Sequence, residues 1–206
     1  MLKDILITIS VLTAMLLLRS IVSIFPSLAA CMARTKECFN LESSVKLSRD
    51  RDLLAWAMIL PFCLLTYSFN LFGTGFMNGY NEDLRLLVII GMFALYIAFR
   101  YAVYKLFSTQ RIPKRTYSTG GFAAHTFFVI LTFLLLATGG FMTATGADKE
   151  VIKTAMLWIS AVIYSIFIFR KIQIFASSYN FFIVFLYLCA LEILPTGALV
   201  ASALIF

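Results

Sequence analysis

The sequence predicts an all-α, polytopic transmembrane helix bundle of about six spans, with five as the alternative. Three observations carry that prediction. Of 206 residues, 62% are hydrophobic and 13% charged, whereas soluble domains run at roughly half apolar and a quarter charged. Apolar runs recur along the whole chain, several exceeding the ~18 residues with few charges that mark a membrane-spanning helix. The charges gather in short stretches between those runs, so one membrane domain over residues 1–206 accounts for the chain.

The first span, Ile5 to Cys31, is the weakest, because Arg19 and Pro26 interrupt it. Leu28-Ala29-Ala30-Cys31 has the form of a lipoprotein cleavage box. A signal peptide, however, needs a short unbroken apolar core, and Arg19 divides this one, so an uncleaved helix is expected. Five further spans follow: Leu53 to Phe72, Leu84 to about Phe107, Gly121 to Thr143, Val151 to Phe169, and Tyr179 to Phe206. Each is near the length that a hydrocarbon core of ~30 Å requires.

Helix-start chemistry fits these limits. Asn81-Glu82-Asp83 precedes the third span, Asp148 and Glu150 the fifth, and Ser177-Ser178 the sixth; such side chains satisfy free amides and complement the helix dipole. Gly73-Thr74-Gly75 and Gly139-Gly140 are expected to close the spans before them. Gly75-Phe76-Met77 and Gly140-Phe141-Met142 hint at a repeated hairpin, which chance similarity in apolar sequence explains better.

Positive charge is one-sided. The connection Ala33 to Asp52 carries Arg34, Lys36, Lys46, Arg49 and Arg51, the next on the same side carries Arg111, Lys114 and Arg115, and Arg170 and Lys171 follow the fifth span. The positive-inside bias puts these connections in the cytoplasm and both termini outside. The formal charge of +7 thus reads as topology signals and contacts with anionic lipids, not as a nucleic-acid face. Trp56, Tyr101, Tyr104 and Tyr117 fall near the same interface, where amphipathic rings anchor spans.

The four cysteines, Cys31, Cys38, Cys63 and Cys189, contain no C-x-x-C pair, and neither a disulfide nor a zinc framework is expected. His125 is the sole histidine, which excludes a multi-histidine metal site; no cofactor is implied. It lies about one turn into the fourth span, in reach of an interfacial hydrogen bond or a proton relay. Arg100 stands near the end of its span, where a long side chain can snorkel.

Glu192 is the sharpest feature, near the middle of the last span and three residues before Pro195. A carboxylate at that depth costs ~2.5 to 3.5 kcal/mol on insertion scales, so it needs a partner, a proton or a polar cavity. Depth arithmetic at ~1.5 Å per residue brings Arg19 to within ~10 Å of its level, which makes Arg19 the expected partner. Arg100, or a protonated and backbone-bonded Glu192, is the rival. The candidate intramembrane polar site is therefore Glu192, Arg19, Arg100 and His125.

Phe169-Arg170-Lys171 and the run Leu186-Tyr187-Leu188-Cys189-Ala190-Leu191-Glu192-Ile193-Leu194-Pro195 resemble a bacterial family, known mainly from the Bacteroidota, of multi-pass membrane proteins of unknown function. The resemblance is specific in the last quarter and extends elsewhere only in hydropathy. It implies the inner membrane of a double-membraned bacterium and brings no activity or catalytic residue. A non-enzymatic subunit or assembly factor of an envelope complex, partnered by another membrane protein or a second copy, is the first functional expectation. A small transporter or lipid flippase working around Glu192 is the second, and a membrane-embedded enzyme ranks last.

Overall fold

The structure is a computed structural model and describes residues 2–71, 81–106, 114–176, 184–185, 188–197 and 200. Among these residues seven α-helices run in order: α1 Leu2–Ala33, α2 Thr35–Ser43, α3 Val45–Ala57, α4 Ile59–Ser68, α5 Glu82–Leu106, α6 Lys114–Ala144 and α7 Lys149–Ala176, followed by a π turn at Cys189–Ile193. No strand occurs among the described residues.

Helices α5, α6 and α7 contain stretches long and apolar enough to cross a membrane, at Glu82–Val103, Thr119–Ala144 and Lys149–Ala176; α1 makes a fourth if its two bent halves count as one span. They also bear large exposed apolar side chains, among them Leu95, Phe141 and Trp158 at 72%, 71% and 69% exposure. In water such surface invites aggregation, whereas lipid is its ordinary partner.

The expected count of about six is therefore not reached among the described residues. The span expected at Leu53 to Phe72 breaks at Met58, whose turn conformation separates α3 from the 10-residue α4. Most of the run from Tyr179 lies outside the described residues. The first span is continuous in hydrogen bonding but bends by 75° between Lys3–Leu17 and Arg19–Ala33. That bend sits beside Arg19 and not at Pro26, which the helix carries inside its second half.

The stretch Ala33 to Asp52, read from sequence as a connection, folds as α2 and most of α3. Cys38 and Leu41 on α2 and Leu54 and Ala55 on α3 are buried against α1 and α6. A low overall hydropathy thus hid a few correctly spaced apolar anchors, which suffice to dock a short helix.

Helix α6 is the hub. Its Ala123, Ala124 and Phe127 pack with α7, its Val129 and Ile130 with α1 and α3, and its Leu135 with Ile152 and Met156 of α7. Small residues allow the close approach: a methyl group added at Gly120 would stand 2.6 Å from the Phe175 ring, and one at Gly139 2.5 Å from Met156. Gly139-Gly140 therefore does not end the helix as expected. The end lies at Gly146, at φ +74°, where Ala147 N–H reaches back to the Met142 carbonyl; glycine adopts that left-handed conformation without a Cβ penalty. Asn70, at φ +48°, closes α4 the same way, with Leu71 N–H on the Thr66 carbonyl. Gly73-Thr74-Gly75, and with it half of the suggested repeat, lies outside the described residues.

Candidate functional site

Two polar networks are built into this bundle. The first forms where α5, α7 and the π turn meet. Pro195 has no N–H to give and its ring crowds the preceding turn. Just ahead of it the helix widens, and Leu194 N–H bonds the carbonyl of Cys189, five residues back. π turns of this kind re-aim side chains and recur at functional sites. Here the widened turn carries Glu192, which is 2% exposed.

Both partners of Glu192 come from the neighbouring helices. Arg100 of α5 donates to Glu192 Oε1 at 2.6 Å, and Lys171 Nζ of α7 donates to the same oxygen. Lys171 is 2% exposed, whereas the Arg100 side chain keeps a quarter of its surface open. The ring of Phe167 lies beneath both cations, 5.4 Å from Lys171 Nζ and 6.0 Å from the Arg100 guanidinium carbon, a separation at which the ring face attracts positive charge. Tyr164 donates its hydroxyl to the Glu192 backbone carbonyl at 3.2 Å, and the hydroxyls of Tyr96 and Thr196 meet at 3.3 Å. The spacing explains the convergence. Tyr96 and Arg100 are four apart on α5, and Tyr164, Phe167 and Lys171 are three and four apart on α7, so each set shares one helix face.

The second network joins α2, α3 and α6. Arg51, 2% exposed, donates to Glu42 Oε2 at 2.9 Å and to Ser48 Oγ at 3.1 Å, pairs with Asp52, and stacks over Phe122 with 5.0 Å to the ring centre. Asp52 in turn meets His125 Nδ1 at 2.9 Å. Partial burial pushes the pKa of Asp52 up, but the His125 hydrogen bond and the Arg51 charge outweigh it and hold the carboxyl below its ordinary value. Glu42, Asp52, Trp56 and Arg49 border a shallow open depression beside this network.

Adjacent to Lys171, Arg170 points elsewhere: it donates to the carbonyls of Met32 at 2.8 Å and Ala33 at 2.5 Å, closing the end of α1. A cation suits a helix C-terminus on both hydrogen-bonding and dipole grounds.

Of the residues singled out from sequence, Glu192 and Arg100 come together, His125 belongs to the other network, and Arg19 joins neither. The expected Arg19–Glu192 pair is thus replaced by the rival Arg100, supplemented by Lys171. Arg19 is exposed on a helix that packs chiefly on α2, α3 and α6, away from the π turn. Depth alone could not distinguish these partners, because it says nothing about which helices are neighbours. Lys171 and Arg51, expected in connections as topology signals and anionic-lipid contacts, are each buried. Their helical spacing to Tyr164 and to Ser48 was the available signal.

The expectation about cysteine also needs correction. Cys31, ending α1, and Cys38, on α2, form a disulfide, bridging the turn that lets α2 fold back on α1. They are seven residues apart without a C-x-x-C motif, and only the reversal of chain direction at Arg34 makes them neighbours. Cys63 and Cys189 remain free thiols.

No curated protein and no solved structure matches the chain. A family model does, and it matches residues 7–202, nearly the full length, including both networks. The chain belongs to the DUF4271 family, a domain of unknown function.

Proposed function

We propose that the chain is a non-enzymatic subunit or assembly factor of a membrane complex in the inner membrane of a double-membraned bacterium. The observation that carries this reading is the burial of the Glu192–Lys171 pair: the carboxylate and Lys171 are each 2% exposed and bonded to one another. Buried charges that bond one another fix which helices pack together, and removing the shared anion leaves buried charge uncompensated. They serve as registration between α5, α7 and the last segment. The lipid-facing apolar surface of α5 to α7 gives a partner, or a second copy, room to dock.

In this reading the chain makes about six crossings, the basic stretches around α2, α3 and the start of α6 face the cytoplasm and touch anionic lipids, and both termini lie outside. A small transporter or flippase is the second reading, favoured by the π turn at Cys189–Ile193, since broken helices near buried charge are what moving substrates use. Affinity purification of the full chain in mild detergent separates the two. A stoichiometric membrane-protein partner supports the first, and a lone protein whose Glu192 becomes accessible to water during turnover supports the second. Alkaline-phosphatase fusions after Phe206 and at Lys114 test the orientation; activity at Lys114 and none after Phe206 would invert it.

A further inference from the structure

The Glu192 cluster holds two cations and one anion. All ten acidic residues of the chain lie among the described residues, and only Glu192 stands in range of Arg100 or Lys171. Glu82 and Asp83 start α5 and Asp148 and Glu150 flank the start of α7, ~25 to 35 Å from the cluster at ~1.5 Å per residue. Glu42 and Asp52 are held by Arg51. A surplus positive charge in a low-dielectric site is costly. The open side of the cluster is Arg100, whose side chain is 25% exposed while Lys171 is enclosed.

We infer that Arg100 holds a phosphate group against the outer side of this cluster. A guanidinium presents five donors in a planar fork suited to two phosphate oxygens, and the Tyr96 hydroxyl together with one carboxylate oxygen shared with Lys171 cannot absorb all five. Depth favours the phosphodiester of a lipid as the source. Arg100 is three residues from the end of the apolar stretch Glu82–Val103, ~5 Å along the axis, within snorkelling reach of the headgroup layer. Its sequence neighbours Phe99 and Tyr101 are exposed, at 47% and 67%, and at that level exposed rings face lipid instead of a water-filled channel. Tyr96, which meets Thr196 one turn deeper, bounds the site from the membrane interior. The inference needs α5 and α7 to cross the bilayer and is independent of the subunit role.

Native mass spectrometry of the delipidated full chain in detergent tests it, with phosphatidylglycerol, inorganic phosphate and phosphate-free diacylglycerol as separate probes. A one-to-one phosphatidylglycerol adduct is expected, with none from diacylglycerol. Arg100→Gln should lower its occupancy at least tenfold, and Lys171→Met, which removes the surplus charge without touching the open side, should lower it several-fold. Lys149→Gln, at the exposed start of α7, should leave it unchanged. Displacement of the lipid by millimolar inorganic phosphate would support the phosphate chemistry and assign a free anion as its source. Absence of any phosphate adduct on the wild-type chain overturns the inference, as that is the result if Lys171 is neutral and the cluster already balanced. So does a lipid adduct equally strong in folded Arg100→Gln; if that variant does not fold, an adduct unchanged in Lys171→Met decides the same point.

Discussion

The two polar networks solve the same problem in opposite ways. Around Arg51 the charges are close in sequence, two carboxylates attend one guanidinium, and the acids keep contact with solvent, Glu42 at 17% and Asp52 at 31% exposure. Around Glu192 the members come from residues 100, 171 and 192, two cations attend one carboxylate, and the acid is sealed. A local, half-hydrated network can lose a member and let water replace it. A distant, sealed one cannot, so the Glu192 cluster should carry more of the tertiary fold.

The contrast is most exposed to test at Glu192. Glu192→Gln leaves Lys171 and Arg100 without their shared anion and should cost about 3 kcal/mol or more, read as lost monodisperse protein and a lower melting temperature in detergent. A loss under about 1 kcal/mol would mean the cluster is hydrated after all. Next, Arg51→Met should cost about 2 kcal/mol, within the range for charged hydrogen bonds, because Glu42 and Asp52 can turn to water. A loss equal to that of Glu192→Gln would erase the distinction between the networks.

Lys171→Met sharpens the comparison from within the sealed cluster. It leaves one guanidinium and one carboxylate, a balanced pair, and should cost no more than about 1 kcal/mol. Combined with Glu192→Gln it should lose clearly less than the sum of the two changes, since they share a partner. The smallest effect belongs to Asp52→Asn, below about 1 kcal/mol for a partly solvated ion pair. Asp52 is held below its ordinary value of 3.8, so its contribution is complete above that pH and disappears as pH falls through the lowered folded value. Melting curves of the wild type and Asp52→Asn should stay apart at pH 5 and above and converge only below pH ~4.

Sequence alone identified the parts that follow from hydropathy and helix-end chemistry. The expected spans at Leu84 to Phe107, Gly121 to Thr143 and Val151 to Phe169 lie within or close to α5, α6 and α7, because long apolar runs have no other stable form in lipid. The α2 and α3 helices were not legible, since charged residues outnumber their buried anchors and only the packing against α1 and α6 selects the helix. The break at Met58 carries one sequence signal, Pro61 in the first turn of α4, which has no N–H to bond the Ala57 carbonyl. Within the site, Glu192 stood out because a lone acid in an apolar segment is costly wherever it lands. Its partners did not, because pairing depends on helix adjacency, and the 75° bend in α1 defeats any depth counted along a straight helix.

The Cys31–Cys38 bridge has a consequence in cell compartments. Thiols stay reduced in the bacterial cytosol and are oxidised in the periplasm. The same turn lies in the connection with the most Lys and Arg, one that charge bias assigns to the cytosolic side. Two independent rules therefore address one turn, and they disagree. Alkylation of the freshly lysed cell, before air can oxidise thiols, reads the answer as mass: two added groups on Cys31 and Cys38 place the turn in the reducing compartment, and none places it in the oxidising one. The pair of sulfurs doubles as a compass needle for the whole bundle, fixed in its orientation when the chain is inserted.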